Sequence, residues 1–311
     1  MSRPFFKDSA TAATASLPPL DCRSDLWFCD IAVRRGGRSR TLGSDGETAL
    51  MSPPRILIVA GSDSGGGAGI QADIKTITCL GGYAMTAVTA VTVQNTLGVA
   101  AIHAIPAEIV AAQMRACIDD IGVDAVKIGM IGGAATVVAV AEVLAGLQVP
   151  IVLDPVMVAK GGARLLGDDA AMALIAHLLP LARLVTPNTP ELSALTGTEI
   201  EDAADALLAA QELLLQGPRA VLAKGGHLPG DRLTDWLVTR GGHQAFTSER
   251  VDTAHTHGTG CTLASALACG LGQGLALEDA VVQARAFVMQ GLLRAPGFGG
   301  GHGPLGFYPL S

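Results

Sequence analysis

From about residue 54 onward, two kinds of apolar patterning alternate along the chain. Ile56–Ala60 is an unbroken apolar run, the mark of a strand buried on both faces. A glycine-rich turn follows, and residues 69–80 then carry a helical period. Val and Thr dominate 84–93, which reads as a strand, and Pro106 sits in the first turn of a helix reaching about 121. Further strands are predicted at 125–130, 151–154, 184–186 and 220–224, separated by helices at 134–146, 168–179 and 202–216. Two more strands at about 235–239 and 244–248, and two helices at about 259–273 and 277–294, complete the series. The glycine-rich stretch after Pro296 has no period and reads as loop. Strands alternating with helices predict an α/β fold with a mainly parallel central sheet and helices on both faces. In such sheets ligands bind beyond the carboxyl ends of the strands.

The first 50 residues break this pattern. They combine Pro18-Pro19, scattered Arg, Ser and Thr, and one apolar patch at Leu26-Trp27-Phe28. Asp8, Asp21, Asp25 and Asp30 are out of place in a transit peptide. The expectation is a disordered or mis-annotated extension over 1–50, with Met51 the true start and one domain over 51–311.

Composition narrows the field. Hydrophobic residues make up 49% of the 311, ample for one large core. The balance of 21 basic and 28 acidic residues gives −7, with no basic cluster, which argues against nucleic acid and anionic membranes as partners. Ile128–Leu153 is apolar enough to suggest a membrane span, but Gly129, Gly132, Gly133, Gly146 and Pro150 favour strand, helix, strand in a soluble domain. The six cysteines show neither CxxC spacing nor a histidine neighbour suited to zinc. Reduced thiols and a cytoplasmic location are the default.

Three groups of residues carry chemistry. Gly61–Gly69, at a strand-to-helix junction, lets backbone approach a ligand but lacks the Gly-Lys-Ser/Thr ending of a Walker A loop. Thr256-His257-Gly258-Thr259-Gly260-Cys261-Thr262 turns through two glycines straight into a helix whose free amides and positive dipole end suit a developing anion. A bland alternative has Thr256 or Thr259 simply capping a core helix. Asp154, the Thr186–Glu191 segment and Lys224 each end a predicted strand, where their oxygens and ammonium could gather Mg²⁺ and phosphates.

Together with Ile70-Gln71-Ala72-Asp73, Gln94-Asn95-Thr96 and Lys127-Ile128-Gly129-Met130, these segments resemble the hydroxymethylpyrimidine/phosphomethylpyrimidine kinases of the ribokinase-like superfamily, over about 54–309. The resemblance implies ATP, Mg²⁺ and two successive phosphorylations, on the hydroxymethyl group and then on the monophosphate, toward thiamine diphosphate. It places the pyrimidine against Gly61, Asp73, Gln94 and Met130, with Asp73 and Gln94 meeting the aminopyrimidine edge. Asp154 and Glu191 fall near the metal, Lys224, Asn188 and Thr256 near the nucleotide, and Gly258, Thr259, Gly260 and Cys261 form the catalytic turn. Relatives commonly dimerise, which implies a homodimer. Where the family's first loop often reads Asp-Pro-Ser-Gly-Gly, this chain has Asp63-Ser64-Gly65-Gly66-Gly67.

Related sugar kinases have an aspartate where Cys261 stands. A helix N-terminus can lower a thiol's pKa, so some thiolate is expected there. Paired glycines make Ala159–Leu166 the candidate lid. Two rival readings remain: a pyridoxal or pyridoxine kinase on the same fold, and a non-catalytic pyrimidine-binding protein.

Overall fold

The structure is a computed structural model that describes residues 52–158, 162 and 165–308. The expectation for residues 1–50, and most of the candidate lid, lie outside these. Among the described residues, nine strands form one sheet in the order β3-β2-β1-β4-β5-β6-β7-β8-β9. The parallel centre comprises β1 (Arg55–Asp63), β2 (Tyr83–Asn95), β4 (Ala125–Ile128), β5 (Ile151–Leu153), β6 (Leu184–Val185) and β7 (Ala220–Ala223). Antiparallel strands close both sides: β3 (Gly98–Ala104) on β2, and β8 (Arg232–Thr239) with β9 (Gly242–Glu249) beyond β7.

Strand periodicity divides the core. Alternate side chains point to opposite faces, so Leu57, Val59, Val126 and Ile128 pack on one side. There they meet α2 (Ala107–Asp120), α3 (Ala134–Leu144), α4 (Asp168–Ala173), α5 (Thr189–Thr196) and α6 (Ala203–Leu215). Ile56, Ile58 and Ala60 pack on the other, beneath α1 (Gly69–Cys79), α7 (Thr259–Gly272) and α8 (Leu277–Leu293). The apolar stretch 128–153 resolves into the end of β4, α3 and β5, and no helix among the described residues is long and apolar enough to cross a membrane.

Two elements were not anticipated. β3 lies at the sheet edge with no buried residue, so it leaves no alternating signal. α5 has eight residues, too few for a helical period to show. A capping box starts it: the Asn188 side chain accepts from the Glu191 amide while the Glu191 side chain accepts from the Asn188 amide. The helix predicted at 168–179 changes character at Leu174, where a π-helical turn runs to Leu178.

Candidate active site

Strand ends and helix beginnings converge on a cavity of about 890 Å³. Gly61, Gln94, Met130, Asp154, Asn188, Glu191, Lys224, Thr256, Gly258, Thr259, Gly260 and Cys261 all line it, although they come from opposite ends of the chain.

The turn that opens α7 starts at Gly258, whose φ of +83° is open to glycine and strained for other residues. A Cβ there would also overlap the Gly67 carbonyl oxygen. Gly258 itself is the N-cap, and no side chain caps α7. The capping role open to Thr256 or Thr259 is therefore not taken up. Among the described residues, the amides of Gly260 and Cys261 meet no acceptor, so they remain for a ligand.

Opposite this turn, the Lys224 ammonium donates to Asp154 at 2.9 Å and lies 4.0 Å from Glu191. Asp154 also accepts from the Thr186 hydroxyl at 2.9 Å. Burial alone would lower the Lys224 ammonium, but Asp154 and Glu191 outweigh it and hold it above its ordinary value. A buried Glu191 is pushed up to about 7: desolvation disfavours its charge, Lys224 opposes this, and Asp154 repels it. The Asn188 carboxamide oxygen is spent on its cap, which leaves its amide nitrogen for a ligand.

The described residues contain no cluster of three or more His, Cys, Asp or Glu able to cage a metal. Two carboxylates beside a lysine do fit a Mg²⁺ that takes its other ligands from phosphate and water. Glu191, reluctant to ionise beside Asp154, is a carboxyl whose charge a further cation would favour.

Two sequence expectations need correction. Asp73 does not line the cavity and has no exposed surface. Its oxygens accept from Lys127 at 2.8 and 2.9 Å and from Ser265 at 2.7 Å, so they cannot meet a pyrimidine. The reason lies in α1: one helical turn below its start, Asp73 faces the sheet, where β4's alternation directs Lys127 at it. Cys261 is also not a ready thiolate. Burial pushes its thiol up to about 11, and the attraction of Lys127 does not offset burial plus repulsion from Asp73 and Asp154.

The first glycine loop also behaves differently from a ligand cradle. Asp63 accepts from the amides of Gly65, Gly67 and Ala68, at 2.7, 3.1 and 2.8 Å, so those donors are satisfied within the loop. Ser64 Oγ clips the loop to β2, donating to the Gln94 carbonyl and accepting from its amide. At Gly61 a Cβ would meet the Met130 methyl, which would have to move aside.

Some groups escaped sequence reasoning. Asp63 and His257 pair at 2.9 Å across 194 residues. Arg250 and Arg285 also line the cavity. Arg250 donates to the carbonyls of Gly226, Leu228 and Gly230, and Arg285 pairs with Asp235. No motif marked them, because only the pairing of β8 with β9 and the packing of α8 bring them together.

An open sheet with a helix N-terminus facing a lysine and two carboxylates defines a small-molecule kinase that uses ATP. Residues 63–306 match the phosphomethylpyrimidine kinase family model, and the chain belongs to that family. It is 48% identical over 259 residues to a hydroxymethylpyrimidine/phosphomethylpyrimidine kinase of Streptomyces coelicolor, covering 83% of this chain and 96% of the relative. A phosphomethylpyrimidine kinase from Clostridium difficile superposes with a TM-score of 0.68 at 38% identity, over 76% of this chain and 98% of that one. A Bacillus subtilis pyridoxal kinase in complex with ADP superposes with a TM-score of 0.77 at 34% identity, over 82% and 98%.

Proposed function

We infer that this chain transfers the γ-phosphoryl group of ATP first to the hydroxymethyl oxygen of 4-amino-5-hydroxymethyl-2-methylpyrimidine and then to the resulting monophosphate, for thiamine diphosphate synthesis. The observation that carries the reading is the uncapped start of α7, with its Gly260 and Cys261 amides facing the same cavity as the Lys224 ammonium. The acceptor oxygen attacks the γ-phosphorus as the bond to the β–γ bridging oxygen breaks, and ADP leaves. Charge on the three equatorial oxygens is met by those amides and by Lys224.

Cys261, protonated at neutral pH, does not have to act as base. The transition state is loose, so the alcohol proton can leave late, to an oxygen of the transferred phosphoryl group or to water, and in the second step the acceptor phosphate is already anionic. Asp154 and Glu191 would hold Mg²⁺, which supplies charge neutralisation between the phosphates. Gln94 and Met130 would hold the ring, Met130 by packing and Gln94 by hydrogen bonds. A homodimer in the cytoplasm is the proposed setting.

ATP consumption with hydroxymethylpyrimidine and Mg²⁺, and mass spectrometry of the products, test this. Monophosphate followed by diphosphate is expected; no turnover would support a non-catalytic binder instead. The likeness to the pyridoxal kinase favours a second reading, a slower activity on pyridoxal in the same cavity. Comparing kcat/KM for the two substrates measures it.

A further inference from the structure

Around Gln94 the donors and acceptors can be counted. The Asp63 carboxyl is buried, yet His257 and the loop amides outweigh burial and keep it below the ordinary carboxylate range. It is therefore an acceptor only. His257 Nε2 lies 2.9 Å from Asp63 Oδ2, so whatever charge the ring carries, a hydrogen sits on Nε2. Gln94 Nε2 lies 3.3 Å from that same nitrogen, and Gln94 Oε1 lies 3.0 Å from Thr92 Oγ1. Two donors then face one another. Thr92, with a single hydroxyl hydrogen, is within reach of both Gln94 Oε1 and the Ser62 carbonyl at 3.0 Å.

Turning the carboxamide by half a rotation satisfies every group. The Gln94 oxygen then accepts from His257 Nε2–H, shared with Asp63. The Gln94 nitrogen donates to Thr92 Oγ1, whose hydrogen goes to the Ser62 carbonyl. One N–H and one lone pair of Gln94 remain, in a fixed order, and Gln94 lines the cavity.

We propose that His257 is a specificity-determining positioning residue: with its Nε2 hydrogen directed by Asp63, it locks the Gln94 carboxamide in the orientation that matches an aminopyrimidine edge. The ligand class is a ring with a nitrogen acceptor beside an exocyclic amine donor. A pyrimidinone, in which that edge presents ring N–H beside C=O, offers the reverse order and is rejected. The inference rests on Gln94 facing the pyrimidine. Its anchorage is firm, since the His257 amide donates to the Gly303 carbonyl and the ring packs beneath Gly67.

The test is the ratio of kcat/KM for hydroxymethylpyrimidine over its 4-oxo analogue. A site that must pair a buried polar group favours the amino compound roughly 100-fold or more in wild type, falling below about tenfold in His257→Phe as the carboxamide turns freely. A purely structural role would lower both substrates alike and leave the ratio unchanged, which overturns the proposal. Gln94→Ala should collapse the ratio too. If it does and His257→Phe does not, only the role of His257 fails; if Gln94→Ala changes nothing, the contact of Gln94 with the ring fails as well. Should His257→Phe not fold, ¹⁵N spectra of wild-type histidine decide: a hydrogen on Nε2 is expected, and Nε2 without one refutes the lock.

Discussion

The Lys127 ammonium meets both oxygens of Asp73, at 2.8 and 2.9 Å, with neither side chain exposed to solvent. Burial pushes the Asp73 carboxyl up and by itself would push the Lys127 ammonium down. Attraction to Asp73 and Asp154 nevertheless raises Lys127 above its ordinary value, so the proton stays on nitrogen. With Ser265 also donating to Asp73, the pair ties β4, α1 and α7 together.

Removing one member leaves an uncompensated buried charge. Lys127→Met should destabilise the fold by about 3–5 kcal/mol in denaturant unfolding. The double change Lys127→Met with Asp73→Leu should recover much of that loss. Equal stability of the single and double variants would show that the pair is not what holds these elements.

Cys261 should react as a protonated thiol. With a pKa of about 11, roughly one molecule in a thousand is thiolate at pH 8. Its alkylation by iodoacetamide, followed by mass spectrometry, should be slow at pH 8 and accelerate above pH 10. Cys261→Ala should lower the two phosphorylations alike, and by no more than about tenfold, because a protonated thiol accepts the acceptor's proton in neither step. A larger loss confined to the first step would restore a base role to Cys261.

Gly258→Ala should cost far more activity than its size suggests. The residue needs φ near +83° and direct contact with the Gly67 carbonyl, so a methyl group displaces the Gly260 and Cys261 amides proposed to face the phosphoryl group. A fall in kcat of about 10²–10³, as for loss of an oxyanion donor, is expected. A variant with kcat within about fivefold of wild type would mean the turn does not contact the reacting group.

Glu191 makes stability depend on pH. Its folded value of about 7 lies above the ordinary 4.5, so between these the folded state binds more protons than the unfolded one. Stability contributed by this group is present below pH 4.5 and is lost as pH rises through 7, by up to about 3 kcal/mol. Thermal unfolding of wild type and Glu191→Gln from pH 5 to 8 should show the wild type losing stability relative to the variant as pH rises. Parallel curves would rule the effect out.

Much of this was legible in the amino-acid order, since local signals reach a few residues. Apolar runs and helical periods located most strands and helices, and Gly258 through Thr262 displayed the glycine-rich helix start because it is continuous in the chain. β3 and α5 were not legible, one lacking a buried face and the other lacking length. Asp73 shows the limit most clearly: its type and place suit a ligand contact, and only the packing of Lys127 and Ser265 against it removes it from the cavity. The Asp63–His257 pair spans 194 residues, and Cys261's thiol is governed by burial that no neighbour in sequence creates. Charge states and long-range partners follow from desolvation and distance, which exist only once the sheet has brought remote strand ends together.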